Sequence, residues 1–450
     1  MGYQVGVDLG TTYTAAALHR DGRVEIVTLG DRAASIPSVV LLREDSTILT
    51  GEAAARRAPT EPRRVAREFK RRLGDPVPIL LADAPFSAEQ LMANMLRAVL
   101  EETAGAEGEP PARVALTHPA NWGPYKIDLL NQAVRLADLP GADLFTEPEA
   151  AATYYASVER MNSGDTVAVY DLGGGTFDAT VLRRTDDGFE ILGEPEGIER
   201  LGGIDFDEAV FSHVRSSLGD AIEQLDPANE VAMAAVARLR EDCITAKEAL
   251  SRDTDVTIPV FLPTVQTEVR LRRSEFEDMV RPALTETIGS LCRALRSAGV
   301  SRSELKSVLL VGGSSRIPLV AQLVTAELGR PVAVDAHPKH AVALGAALAC
   351  ALAAGHGDTP AAVAGTGDPG GRRPTVTVST VTEPDRPGAF WFYVEEPQPL
   401  LSADDPQRTV ATLAPGTWYQ AHSEQSGWVW ACDENGTEGW VAGVAIRRYE

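Results

Sequence analysis

Basic residues are scarce in this 450-residue chain: 42 Lys and Arg face 64 Asp and Glu, for a formal net charge of −22. A surface so acidic repels phosphate backbones and anionic lipid, which argues against nucleic acid and membrane as partners. Its plainest role is solubility. Cysteine is rarer still. Cys243, Cys292, Cys350 and Cys432 lie far apart, with no Cys-x-x-Cys pair and no histidines at metal-ligand spacing. The simplest reading is buried free thiols in a reducing cytoplasm. No signal peptide precedes the first strand-like run, and Gly6 departs from the myristoylation pattern that Met1 and Gly2 would begin. Long apolar runs are missing too: the most apolar, Ala341 to Ala354, is too short to span a bilayer and reads as a buried helix. What is left is a cytoplasmic globular protein with material for two or more packed domains.

Up to about Gly355, strand-like and helix-like patterns alternate as in an α/β protein. Val5 to Val7 and Val167 to Tyr170 read as short buried strands. Ser87 and Gln90 form a capping box ahead of the apolar stripe Leu91, Met92, Met95, Leu96 and Val99. Residues 229–250 read as one long helix, and Ser307 to Val311 as another buried strand. The composition then changes. Residues 356–375 are rich in Gly, Pro and Ala without apolar periodicity, which predicts a flexible linker. Of the 6 tryptophans, all but Trp122 lie after Phe390. Turn signals at Pro415-Gly416, Ser426-Gly427 and Asn435-Gly436 separate short aromatic strands, the pattern of a small β-barrel or meander over 376–450.

Residues 1–355 also repeat themselves. VGVDLGTT (5–12) and VAVYDLGGGT (167–176) share one plan: apolar strand, Asp-Leu-Gly, a glycine or threonine turn, then a second strand. Duplicated halves facing each other would set both turns across a common cleft. Glycine costs backbone entropy on folding, so a strand ending in three of them needs something a side chain would block. Exposed backbone N–H groups in such a turn converge on an anion, and a phosphate can approach to hydrogen-bonding distance. Thr11, Thr12 and Thr176 add hydroxyl donors. Asp8 and Asp171, at matching places in the repeat, suit a hydrated Mg²⁺ beside phosphates. One loop of this kind reads better as a plain tight turn; two with the same acidic residue point to a nucleotide polyphosphate between hairpins. LLVGGSSRIP (309–318) fits the adenosine end. Gly312 and Gly313 would let a flat base lie on the backbone, and Ser314, Ser315 and Arg316 open a helix with the guanidinium placed to stack.

In order along the chain come GVDLGTTYTAAAL, FKRRLG, LTHPANW, FTEPEAAATYY, VYDLGGGTFDATVL, ERLGGIDFDEAV, ITAKEALS, VLLVGGSSRIPLV and AVALGAA. With these motifs the first 355 residues or so resemble the nucleotide-binding domain of the seventy-kilodalton heat-shock protein family, the DnaK-type chaperones of the actin-like ATPase superfamily. The resemblance implies an α/β actin-like ATPase fold with two duplicated lobes around a nucleotide cleft, and ATP or ADP with Mg²⁺ as cofactors. By position it implies that Lys70 orients the γ-phosphate and that Glu147 helps to position the attacking water. Thr176 and Asp178 would lie at the hydrolytic end, and Asp8 and Asp171 would organise Mg²⁺. Gly10, Thr11, Thr12, Tyr13, Gly173, Gly174 and Gly175 would hold phosphates. Gly202, Gly203, Lys247, Ser251, Gly312, Gly313, Ser314 and Arg316 would contact the nucleotide, and Pro119 matches a proline thought to switch between nucleotide states.

The chain departs from the family's pattern at the base end. Ile244 and Glu248 replace a glutamate and an arginine that flank the adenosine, and Ile204 replaces a glutamate after Gly202-Gly203. Ile127 stands for an arginine, and Lys339 for an aspartate. The segment from Gly74 to Ser87 is shortened, which implies a trimmed peripheral lobe. No leucine-rich linker, peptide-binding β-sandwich or helical lid follows. Instead the tail, with its L-x-PGT turn and GWV, resembles bacterial Src-homology-3-like domains, whose aromatic grooves bind peptides or glycans. The domains expected are therefore 1–355, an ATPase; 356–375, a linker; and 376–450, a small β-barrel. The function expected is that of an ATP-binding, slowly ATP-hydrolysing, chaperone-like protein that lacks the usual peptide-binding domain. Its partners would be the nucleotide and an unfolded protein, or a peptide or glycan ligand of the tail. The alternative is a nucleotide-dependent switch or scaffold with little hydrolysis, recruiting a partner through the C-terminal module.

Overall fold

The computed structural model describes residues 2–30, 33–226, 229–334 and 340–355. Beyond 389 it describes the strand residues 390–394, 398–401, 409–413, 417–425, 428–432, 438–442 and 447–448. The chain divides into two units, Met1–Ala361 and Ala362–Glu450. The predicted linker 356–375, the three turn signals of the tail, and Lys339 lie outside the described residues, as do the side chains of the tail, Cys432 included.

In the first unit the repeat in the sequence is a repeat in the topology. Strand β1 (Gln4–Leu9) pairs antiparallel with β2 (Tyr13–Arg20), which pairs antiparallel with β3 (Arg23–Ile26). On its other side β1 runs parallel to β4 (Arg113–His118), and β4 parallel to β5 (Asp143–Thr146). The order is β5-β4-β1-β2-β3, with Ser35–Pro37 added beside β2. The second sheet holds β6 (Thr166–Leu172), β7 (Phe177–Arg184), β8 (Phe189–Ile198), β9 (Leu305–Val311) and β10 (Val332–Val334). Its order, β10-β9-β6-β7-β8, carries the same strand directions. Parallel central strands covered on both faces must be apolar throughout, and Val5, Val7, Val167, Ala168 and Val169 are all buried. Asp8 and Asp171 sit next to last in β1 and β6, where each strand runs out into its turn.

Eight helices of the first unit matter for the site. They are α1 (Ala88–Glu107), α2 (Pro124–Leu136), α3 (Glu147–Val158) and α4 (Gly203–Ser217), then α5 (Glu230–Ala249), α6 (Arg273–Ser297), α7 (Pro318–Leu328) and α8 (Ala341–Gly355). The Ser87–Gln90 capping box opens α1, and its predicted stripe is fully in the core. Each such Leu or Met contributes roughly 1.5–3 kcal/mol by leaving water. Asn229 caps α5 through its side chain. The apolar run 341–354 is α8, and among the described residues no helix is long and apolar enough to cross a membrane. Small residues let α8 lie close to its neighbours. A Cβ on Gly6 would come 2.2 Å from the Ala347 nitrogen, and one on Gly345 would come 1.7 Å from the Ala150 carbonyl oxygen.

One local expectation is corrected. Gly313–Arg316 form a single 3-10 turn, and α7 begins only at Pro318, whose ring fixes the first helical φ and needs no N–H partner there. Where the sequence is shortened, after Gly74, the chain forms a hairpin of Ile79–Leu81 and Ala84–Phe86. Cys243, Cys292 and Cys350 are free thiols, two of them buried. The second unit carries one seven-stranded sheet, antiparallel at every neighbouring pair.

Candidate functional site

Between the two sheets lies a cleft of about 1240 Å³. The residues expected there come together almost completely. Asp8, Gly10, Thr11, Thr12 and Tyr13 line it from the first repeat, with Lys70 and Glu147. Asp171, Gly173, Gly174, Thr176, Gly203, Lys247, Ser251, Gly312, Gly313, Ser314 and Arg316 line it from the second. Gly175, Gly202 and Asp178 are not among the lining residues; Gly202 packs on the Gly174–Gly175 peptide, and Asp178 pairs with Asp171 across β6 and β7. The departures Ile204, Ile244 and Glu248 face the same space.

The three glycines of the second turn have two different jobs. A Cβ on Gly174 would sit 2.2 Å from the Thr12 hydroxyl, and one on Gly175 would sit 2.6 Å from Thr11 Cγ2. A Cβ on Gly202 would meet the Gly174–Gly175 peptide at 2.6 Å. So Gly174 and Gly175 are bare because the turn of the other repeat and the start of α4 press on them. Only Gly173, with nothing nearer than the Thr176 carbonyl at 3.5 Å, keeps open space above its backbone. Gly312 has φ of +82° and a Cβ there would strike the Leu172 carbonyl, so both conformation and space require glycine.

At the floor of the cleft Lys70 Nζ meets Glu147 Oε1 at 2.6 Å, with side chains only 9% and 11% exposed. Lys70 stands on a 3-10 turn pinned by the buried Phe69. Glu147 is the first residue of α3, where the helix dipole favours an anion and the Thr146–Glu149 capping box fixes the turn. Four carboxylates, Asp8, Glu147, Asp171 and Asp178, thus share one lysine. Burial, then the nearness of Glu147, pushes Asp8 up to about 7, although Lys70 and a hydrogen bond with Thr117 oppose the rise. Burial and Glu147 likewise push Asp178 up to about 7. Asp171 is raised well above the usual range by burial and by Glu147, Asp178 and Asp8. For Lys70, burial works against the charge, but Glu147 and Asp8 outweigh it and raise its pKa. The cluster is short of positive charge.

A cation beside these carboxylates would relieve that shortage. Among the described residues no group of three or more His, Cys, Asp or Glu side chains is close enough to cage a metal. Two carboxylates opening on a cleft fit Mg²⁺, which keeps water and takes its remaining oxygens from phosphates.

Several residues at the site escaped the sequence reading. Arg71, in a basic run that resembles a solvated surface, donates through Nε to the Gly175 carbonyl at 2.9 Å and pairs with Asp205. Asn121 Nδ2 donates to Asp178 Oδ1 at 2.7 Å. The Trp122 ring lies 5.6 Å from Lys70 Nζ. Lys247, expected at the nucleotide, pairs with Asp207 at 2.7 Å and donates to the Gly203 carbonyl. Ser314 donates to the Gly173 carbonyl at 2.8 Å, which ties the base-end turn to the phosphate-end turn. Burial pushes the Tyr13 phenol up to about 12, with Glu248 and Glu241 adding to the effect. Arg67–Glu241 and Lys126–Glu199 span the cleft as exposed pairs, each contributing about 0–1 kcal/mol.

Duplicated sheets, paired turns and a lysine–carboxylate cluster between them agree with one further finding. A family model described as Hsp70 protein matches residues 4–78 and 77–363. The chain belongs to the Hsp70 family. Its first unit accordingly has the actin-like ATPase fold, and the chain is a chaperone-like ATP-binding protein. Hsp70 proteins are ATPases that bind ATP and ADP with Mg²⁺ and act on unfolded polypeptides.

Proposed function

We propose that this Hsp70 protein binds ATP with Mg²⁺ between its two repeats and hydrolyses it slowly. The observation that carries the reading is the buried Lys70–Glu147 pair, set at the cleft floor among three carboxylates with raised pKa values. Asp8 and Asp171 would hold Mg²⁺, which supplies charge neutralisation for the polyphosphate. The N–H of Gly173 and the hydroxyls of Thr11, Thr12 and Thr176 receive phosphate oxygens. Lys70 takes the γ-phosphate, and Glu147 and Asp178 orient the attacking water. Phosphoryl transfer needs chiefly such positioning and neutralisation. Gly203, Lys247, Ser251, Gly312, Gly313, Ser314 and Arg316 form the nucleoside end. Its tail would supply a module for a peptide, glycan or unfolded-protein ligand.

A second reading rests on the nucleoside end itself. There Ile244 and Glu248 put an apolar and an acidic side chain against the cleft, which suits loose binding and a switch or scaffold with little hydrolysis. Calorimetric titration with ATP and ADP, with and without Mg²⁺, followed by phosphate release against a heat-inactivated control, separates the two. Mg²⁺-dependent binding with release above the control supports the ATPase. Binding with no release favours the switch, and no binding removes both.

A further inference from the structure

We propose that Asn121 is a positioning residue for hydrolysis: its side-chain amide reaches from the first repeat to the second and fixes the Asp178 carboxylate. The proposal rests on the reading above that ATP is hydrolysed here. Asn121 belongs to the loop between β4 and α2, in the first repeat, whereas Asp178 is on β7 of the second. Their contact, 2.7 Å from Nδ2 to Oδ1, is a direct hydrogen bond between the two halves.

Three further observations make this a built contact. The loop is held in shape by the Trp122 N–H donating to the Pro119 carbonyl at 3.2 Å and by the His118 ring stacked on Trp122. The same loop lays the Trp122 ring against Lys70, so it touches the lysine and the carboxylate together. Opposite Asp178, on β8, stands Gly197, where a Cβ would come 2.2 Å from Asn121 Nδ2 and 2.9 Å from Asp178 Oδ1. The amide occupies space that any side chain at 197 would claim.

A buried carboxylate can orient a water only if its own rotation is fixed. Asp178 is 8% exposed, and Asn121 engages one of its oxygens. Asn121 is not among the residues that line the cleft. Its loss therefore falls on the rate of the chemical step and spares nucleotide binding.

The test uses full-length protein, single-turnover phosphate release and calorimetric MgATP affinity. Asn121→Ala should slow hydrolysis by about tenfold or more, since small misplacements of an orienting group are costly. Affinity should stay within about twofold, the signature of an interaction needed only for the chemical step. Asn121→Asp keeps the shape but sets a second carboxylate against Asp178, and should be slower than Asn121→Ala. A residue that only filled space would give the opposite order. The double variant Asn121→Ala, Asp178→Asn should be no slower than Asp178→Asn alone. Wild-type turnover in Asn121→Ala, multiplying effects in the double variant, or a loss confined to affinity would overturn the proposal while leaving the ATPase reading in place. Absence of phosphate release from the unaltered protein would overturn both.

Discussion

Replacing Asp8 by asparagine should make the nucleotide-free protein more stable at neutral pH while weakening its hold on MgATP. Asp8 has an unfolded-state pKa near 3.8, and burial beside Glu147 raises it to about 7 in the fold. A raised folded pKa means the folded state binds the proton more tightly than the unfolded chain does. The stability this brings is complete below about pH 4 and is lost as pH rises through about 7, so the charged carboxylate burdens the fold above that point. About three units at about 1.4 kcal/mol each gives about 4 kcal/mol. Asp8 opens on the cleft, and Asp171, itself raised, can take up a proton in its place, so roughly 2–4 kcal/mol is the expected gain for Asp8→Asn at about pH 8. Near pH 4 the gain should vanish, because aspartic acid and asparagine are then alike in charge. Urea unfolding followed by helical circular dichroism reads the first unit, which holds every helix among the described residues. The urea midpoint of the variant should rise above that of wild type as pH increases from about 5 to about 8. Equal midpoints at both ends, or a variant less stable at high pH, would refute the electrostatic reasoning. MgATP titration completes the test: the stabilised variant should bind more weakly, and the double Asp8→Asn, Asp171→Asn variant more weakly still.

Lys70→Ala should keep the helical signal and cut single-turnover hydrolysis by about 10²–10³, as for other lost transition-state donors; turnover at the wild-type rate would remove Lys70 from the chemistry. Gly345→Ala should destabilise the first unit by about 1–3 kcal/mol, read as a lower urea midpoint, or prevent soluble expression, because its methyl group would meet the backbone of Ala150; an unchanged midpoint would mean that α8 packs less closely than described. Full-length protein should bind a ligand of the tail, identified by pull-down, with nearly equal affinity when empty, ADP-bound or ATP-bound; a tenfold difference, about 1.4 kcal/mol, would establish coupling between the units.

Wherever a function is written in neighbouring residues, the sequence alone determined it. Asp-Leu-Gly at the end of an apolar strand, twice, defines two hairpins, because strand patterning and turn chemistry act over a few residues. The capping box at Ser87 and the apolar α8 were legible for the same reason. The tertiary structure decided what those local pieces face. Lys70 and Glu147 stand 77 positions apart, and Asn121 and Asp178 57 apart; no periodicity links such residues, and only the folding of one repeat against the other brings them within hydrogen-bonding distance. Gly174 and Gly175, read from the sequence as room for a phosphate, turn out to make room for Thr12 and Thr11. A sequence can say that a side chain must be absent at a position, but what occupies the space is settled by long-range packing.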